Sequence, residues 1–176
     1  MSKDMIGSKR KLRTDSDEEE CYKKSFAQDN SVEATRLLDL LQPVSGVGVY
    51  SMRPVTIAAV SLKDPVYIGC PCCKRRVYRD TTGDLACSYH GAQETPTYYY
   101  RLRVKLLEEE TGTELWLSLF DEIVTQFIRA DACEFDDLSE TEKKDVLKEM
   151  LGASVQFTIK KSKRGSYINY DVVPAY

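Results

Sequence analysis

Four potential metal ligands lie in two pairs between residues 70 and 90. Cys70 and Cys73 have the spacing C-x2-C, and Cys87 and His90 have the spacing C-x2-H. Each pair can reach one ion from a tight turn, and the turn residues T-T-G-D at 81–84 allow the two pairs to face each other. This pattern predicts a tetrahedral zinc site that is structural and not catalytic, because four protein ligands leave no open position for water.

Two other roles are open to the cysteines. They could be small buried apolar residues, or Cys70 and Cys73 could form a redox pair. A redox pair does not need the second pair of ligands, and no thioredoxin-like strand and helix pattern follows Cys73. Zinc is therefore the favoured prediction. Cys72 offers a third thiolate beside the first pair, and it remains an alternative to His90 as the fourth ligand.

Composition and motifs exclude several classes of protein. The chain has 176 residues, 42% of them hydrophobic, which is enough for one domain with a tail. No apolar run approaches the ~20 residues of a membrane span, and no signal peptide opens the chain. The sequence has no P-loop and no Ser–His–Asp arrangement, since its only histidine is assigned to zinc. We therefore expect a binding protein without a small-molecule substrate and not an enzyme.

The charges are segregated although the net charge is only −3. Basic blocks lie at 74–79, 101–105 and 160–164, and acidic blocks lie at 108–110 and 131–149. Such a distribution can place a local positive groove on an acidic protein.

Residues 1–29 are polar and charged, and we expect them to be a disordered tail. The segment K-R-K-L-R at 9–13 is a candidate nuclear-import signal, although short basic clusters also occur as solvated charge runs. The predicted localisation is nuclear. The remaining residues, 30–176, are predicted to form the folded domain.

Apolar spacing and capping residues predict three helices. The first covers 30–42, begins with the capping pair Asn30 and Glu33, and has an apolar stripe formed by Ala34, Leu37, Leu38 and Leu41. The second covers 121–130. The third begins at the capping box 139–142 and ends at Gly152, with an apolar face formed by Val146, Leu147, Met150 and Leu151.

Hydrophobic alternation predicts the strands, which lie at 55–62, 66–69, 98–107, 114–120, 155–159 and 167–173. In the strand 98–107 the even-numbered residues face inwards and the outer face is basic. Trp116 points outwards from the next strand. A basic loop is expected at 160–165.

The order of elements predicts a mainly β fold with helices, namely a five-stranded OB-fold barrel. Helical material lies between the third and fourth strands, and the zinc ribbon, residues 66–96, is inserted between strands 1 and 2. OB-fold barrels bind oligonucleotides on strands 2 and 3 and with the loops that join strands 1–2 and 4–5. The basic blocks of this chain fall in those places.

Four segments of the chain together resemble a known family. They are I-G-C-P-C-C-K-R-R-V at 68–77, G-D-L-A-C at 83–87, P-T-Y-Y-Y-R-L-R-V at 96–104 and L-W-L-S-L-F-D-E at 115–122. Their order, over about residues 50–174, resembles the C-terminal DNA-binding domain of the large subunit of replication protein A.

This resemblance implies an OB fold with a zinc ribbon that binds single-stranded DNA. The four predicted ligands match the zinc ligands of the family, with His90 where the family usually has cysteine. Tyr98 matches an aromatic residue that the family uses against bases, and Trp116 matches a tryptophan of the third strand. The long helix that follows the last strand in the family has no counterpart, so the chain looks like a shortened relative.

The favoured function is single-stranded DNA binding in nuclear replication, repair, recombination or telomere maintenance. Bases would stack on Tyr98 and Trp116. Phosphates would be neutralised by Arg101, Arg103, Lys105, Lys161, Lys163 and Arg164. The alternative is an OB-fold adaptor subunit of a nuclear complex, such as a telomere or telomerase complex, in which protein contacts are primary. Other OB-fold subunits are therefore possible partners.

Overall fold

The structure is a computed structural model that describes residues 33–174. The strands are β1 Gly48–Ser51, β2 Val55–Val60, β3 Val66–Gly69, β4 Tyr78–Arg79, β5 Leu85–Cys87, β6 Gly91–Gln93, β7 Thr97–Glu108, β8 Thr113–Phe120, β9 Ser154–Val155, β10 Thr158–Arg164 and β11 Tyr167–Val173. The helices are α1 Leu37–Leu41, α2 Asp121–Val124, α3 Ala132–Asp136 and α4 Glu140–Lys148. None of these helices is long and apolar enough to cross a membrane. The predicted tail at 1–29 lies outside the described residues.

The strands pair in a ring that forms a five-stranded barrel. β2 pairs with β7, β7 pairs with β8, and β8 meets β11 in parallel through Ser118 and Asp171. β11 pairs with β10, and the ring closes because β10 and β9 pair with β1 and β2. Barrel strand 1 is thus β1 with β2, and strands 2 to 5 are β7, β8, β9 with β10, and β11. This topology confirms the predicted OB fold.

Alternation of buried and exposed residues places the core inside the barrel. In β7, Tyr100, Leu102, Val104 and Leu106 are fully buried, while Arg101 and Arg103 are exposed. β8 follows the same rule, since Leu117 and Leu119 are buried and Trp116 is 44% exposed. The predicted faces of these two strands are confirmed. The reason is that successive side chains of a strand point to opposite sides of the sheet.

Two strand predictions are corrected. β1 was not expected, because Gly46 and Gly48 interrupt the sequence pattern; its backbone nevertheless pairs with β10 over four residues and helps to close the barrel. The basic loop expected at 160–165 is wrong, since Thr158–Arg164 is a continuous strand. The chain turns only at Gly165, which has a φ of 61°, and Arg164 lies opposite Tyr167 in the hairpin.

The first helix is shorter than predicted. Residues 34–36 are not helical, because the backbone of Thr35 bonds to Ser51 and Arg53 beside barrel strand 1. Asn30 lies outside the described residues. The five-residue helix α1 buries Leu37 and Leu40, and not the predicted stripe of Ala34, Leu37, Leu38 and Leu41.

The other helices differ from the prediction mainly in length. α2 covers only the first turn of the predicted helix 121–130, and a new capping box, Asp131 with Glu134, begins α3. The predicted capping box of Ser139 with Glu142 begins α4, but α4 ends at Lys148 and not at Gly152. Leu151 was assigned to the apolar face and is 45% exposed.

The segment between β3 and β7 forms a small sheet of its own. β3 pairs with the first four residues of β7, so it extends barrel strand 1 and belongs to the barrel more than to the insertion. Within the insertion, β4, β5 and β6 form a three-stranded antiparallel sheet. We call residues 70–96 the insertion. It packs around Cys70, Val77 and Cys87, which form a buried cluster separate from the barrel core.

Candidate metal centre and nucleic-acid-binding face

The four predicted zinc ligands converge at one point of the insertion. One ligand atom from each of Cys70, Cys73, Cys87 and His90 lies within 4.8 Å of the others. Cys73 Sγ is 3.6 Å from Cys87 Sγ, and His90 Nδ1 is 3.5 Å from Cys70 Sγ and 3.7 Å from Cys87 Sγ. A tetrahedral zinc with Zn–S bonds of about 2.3 Å needs sulfur atoms roughly 3.8 Å apart. The four residues therefore fit a tetrahedral zinc ion.

The local structure favours these ligands over Cys72. Cys70 and Cys87 are buried, whereas Cys72 is exposed and does not belong to the converging set. The Tyr89 amide donates to Cys87 Sγ at 3.5 Å and holds the pKa of that thiol below its usual value. A lowered thiol pKa favours the thiolate, which is the form that binds metal.

The insertion is fixed to the barrel by a close contact and by polar bonds. Gly69 ends β3, and a Cβ at this position would lie 2.6 Å from the ring of Tyr99 on β7. The ring of Tyr99 also packs against Tyr67, with centroids 5.8 Å apart. Lys74 Nζ pairs with Glu122 at 3.0 Å. These contacts hold the four potential ligands at a defined position beside strands β7 and β8.

A basic cleft with one aromatic wall lies on the outer face of barrel strands 2 and 3. Its volume is about 500 Å3, and we call it the barrel cleft. The cation of Arg103 lies 5.9 Å from the centroid of the Trp116 ring. The residues that line the cleft are Ser61, Lys63, Asp64, Arg76, Arg101, Arg103 and Trp116. The structure therefore brings together three of the predicted nucleic-acid contacts, Arg101, Arg103 and Trp116.

A second cleft of about 420 Å3 runs from the barrel cleft along the insertion. We call it the ribbon cleft. It shares Asp64 and Arg76 with the barrel cleft, and its wall includes the predicted contact Tyr98. Tyr98 is half-buried and packs partly against the barrel core, so only part of its ring can meet a ligand.

Two arginines of the clefts were not among the predicted contacts. Arg76 lines both clefts and Arg79 lines the ribbon cleft, although both belong to the basic block at 74–79. Arg76 lies three residues after a predicted zinc ligand, and its backbone forms a bridge with Gly69. The position of Arg76 thus depends on the fold of the insertion. A basic block directly after C-x2-C was the signal that could have identified it.

The structure corrects one predicted nucleic-acid contact, that of Lys161. Its side chain was expected to neutralise phosphate, but only 3% of the residue is exposed. The amino group of Lys161 donates to the carbonyl oxygens of Leu40, Gln42 and Ser45 at 2.8, 3.1 and 2.8 Å. These carbonyls lie at and just after the C-terminus of α1. Lys161 therefore binds the chain's own backbone and is not available to a nucleic acid.

The remaining predicted contacts lie at the margins of the clefts. Lys105 is partly buried and pairs with Glu114 at 3.0 Å, so its charge is already partly balanced. Lys163 and Arg164 are exposed near the tip of the β10–β11 hairpin. Tyr167, opposite Arg164, is 77% exposed. This hairpin joins barrel strands 4 and 5.

The barrel, its insertion and the basic clefts define an OB-fold domain with an insertion between strands 1 and 2 that could hold a metal ion. In OB folds, strands 2 and 3 face oligonucleotides. The particular family follows from the sequence. The chain belongs to the family described as "Replication factor-A C terminal domain", whose model matches residues 50–171. The resemblance found in the sequence is thereby confirmed.

Solved structures share the fold. One, from "Structure and Conformational Change of a Replication Protein A Heterotrimer Bound to ssDNA", is 18% identical with a TM-score of 0.67 over 95% of this chain and 44% of that chain. Another, from "Yeast RPA bound to ssDNA", is 18% identical with a TM-score of 0.62 over 81% of this chain and 86% of that chain. The chain thus spans less than half the length of the first of these relatives. No curated protein matches it.

Proposed function

We propose that this protein binds single-stranded DNA in the nucleus through the barrel cleft and the ribbon cleft, as a non-enzymatic factor in DNA replication, repair, recombination or telomere maintenance. The observation that carries the proposal is the barrel cleft itself, in which Arg76, Arg101 and Arg103 surround the exposed Trp116. Arginines beside an aromatic platform suit a single strand, whose phosphates bind the cations and whose bases stack on the ring. Membership in the family supports it.

Each element has a separate role in this proposal. Trp116 stacks on a base, Arg101 and Arg103 neutralise phosphates, and Tyr98 contacts a base in the ribbon cleft. Lys105, Lys163 and Arg164 contribute positive charge at the margins. Zinc, held by Cys70, Cys73, Cys87 and His90, stabilises the insertion and thereby places Arg76 between the two clefts. Other OB-fold subunits are proposed partners, since the structural relatives include a heterotrimer.

A titration of single-stranded DNA at several salt concentrations tests the proposal. Trp116→Ala should weaken binding about tenfold to a hundredfold at every salt concentration, because stacking contributes about 1–3 kcal/mol per base and releases few counterions. The double variant Arg101→Ala with Arg103→Ala should instead lower the slope of log affinity against log salt by about 1–2 units.

A matched control separates these effects from general charge loss. Lys144 and Lys148 are exposed on α4, away from the residues that line the two clefts, and their replacement by alanine should leave the salt slope unchanged. Negligible DNA binding by the wild-type protein at low salt would overturn the proposal and favour the adaptor function. If Trp116→Ala binds DNA normally but melts at a lower temperature, Trp116 is a packing residue.

A further inference from the structure

The loop between β2 and β3 places a carboxylate in the middle of the basic surface. Asp64 lines both the barrel cleft and the ribbon cleft, where they join. Two backbone hydrogen bonds tie the loop to β7: the Ser61 amide donates to the Arg103 carbonyl at 2.8 Å, and the Arg101 amide donates to the Pro65 carbonyl at 2.8 Å. Asp64 is therefore held beside the same two residues whose side chains supply the cations of the barrel cleft.

Among the residues that the structure describes, Asp64 forms no ion pair with the cations around it. Lys63, Arg76, Arg101 and Arg103 line the same cleft, yet among residues 33–174 none forms an ion pair with Asp64 within 4.0 Å. The side chain is exposed, and the backbone of Asp64 has a φ of 46°, in the left-handed region where aspartate is one of the few enriched residues other than glycine. An unpaired carboxylate thus projects from a constrained loop at the centre of the proposed DNA path.

A carboxylate at this position affects which groups of a nucleic acid the clefts can bind. It repels phosphate, so it lowers affinity for the backbone that the arginines attract. An ionised carboxylate can only accept hydrogen bonds, and the groups on a nucleic acid that donate them are mainly the amino groups and ring N–H groups of the bases. At position 4 cytosine presents an amino donor that Asp and Glu accept, whereas uracil and thymine present a carbonyl oxygen there and keep a donor only at the ring N3–H.

We infer that Asp64 is a specificity-determining residue that accepts a hydrogen bond from the exocyclic amino group of a base. The cleft then prefers single strands with cytosine over strands with uracil or thymine at the position next to Trp116. This inference rests on the proposed function, since it assigns a base preference to the same clefts.

The test compares affinities for oligo(dC) and oligo(dU) of about ten nucleotides, within the site size of one OB fold, at mildly alkaline pH where cytosine is neutral. The two homopolymers differ only on the base edge that Asp64 would read. The wild-type protein should prefer oligo(dC) about tenfold, as expected for a hydrogen bond to a charged group. Asp64→Asn should reduce this preference towards unity, because the amide can donate to the carbonyl of uracil, whereas the loss of phosphate repulsion raises affinity for both homopolymers equally.

Asp145→Asn is the matched control, because it changes the net charge equally at an exposed position on α4. This variant should keep the wild-type preference. If Asp64→Asn raises affinity for both homopolymers by the same factor, Asp64 acts only as a repulsive charge and the inference is wrong. The inference is also wrong if the wild-type protein binds both strands equally, while the proposed function stands. Absence of binding to either homopolymer would overturn both.

Discussion

Replacing Lys161 by methionine is expected to destabilise the protein without affecting the proposed DNA-binding clefts. The change keeps most of the apolar stem but removes the ammonium group. That group donates to the Leu40, Gln42 and Ser45 carbonyls and to the Ser45 hydroxyl, all within 3.1 Å. It also lies where a positive charge is favoured by the C-terminal end of α1.

The magnitude follows from what the substitution leaves behind. Without the ammonium, the buried carbonyl oxygens lose hydrogen bonds to a charged donor, and such a bond contributes about 1.5–3 kcal/mol. Gln42 is exposed, so water can satisfy part of the loss, and methionine no longer carries the desolvation cost of a charge. We expect a loss of about 3 kcal/mol in the free energy of unfolding. At about 2–4 °C per kcal/mol for a domain of this size, the melting temperature should fall by about 6–12 °C.

Thermal and urea denaturation measure the loss, and hydrogen exchange at residues 40–45 locates it. Lys163→Met is the matched control: Lys163 lies two residues along the same strand, is exposed, and should change stability by less than about 0.5 kcal/mol. Equal stability of the two variants would refute the role of the Lys161 ammonium. A lower salt slope for DNA binding by Lys161→Met would show that this side chain reaches the ligand after all.

Three further outcomes are expected. Cys87→Ser should lose zinc by metal analysis and unfold the insertion while the barrel partly survives, because the two cores are separate; stoichiometric zinc would contradict this. Burial raises the pKa of Tyr100, so above about pH 10 its phenol ionises only in the unfolded state and the folded protein loses stability. Tyr100→Phe should therefore lose less stability than the wild-type protein at alkaline pH. An unchanged alkaline melting profile would argue against this. Deleting residues 1–29 should change stability by less than about 1 kcal/mol and weaken nuclear accumulation, as denaturation and imaging would show.

The barrel could be predicted from the sequence because its strands are half-buried. A strand with one face in the core and one in solvent shows the alternation seen at 98–107, and the structure confirms its faces. The convergence of the four potential metal ligands could also be predicted, since two residues three positions apart can bind one ion from a tight turn, whatever surrounds them. Features that depend on a few neighbouring residues were therefore the predictable ones.

Features that depend on distant parts of the chain were not predictable. Lys161 belongs to a basic block like any surface lysine, and only the packing of α1, about 120 residues earlier in the sequence, buries it. β1 shows no apolar alternation, because it has the adjacent residues Val49 and Tyr50 between Gly48 and Ser51 and Val49 is exposed. It is a strand because β10 offers a partner. Arg76 lies in the barrel cleft because the insertion folds back along β3.

The close contact between Gly69 and Tyr99 predicts that the residues at these two positions vary together among relatives. Gly69 does not have a positive φ, so glycine is needed there for its size and not for its backbone freedom. A methyl group at 69 would collide with the aromatic ring and push the insertion away from β7. Among relatives that keep this junction, a side chain at position 69 should therefore occur together with a smaller residue at position 99, and the two should vary as a pair.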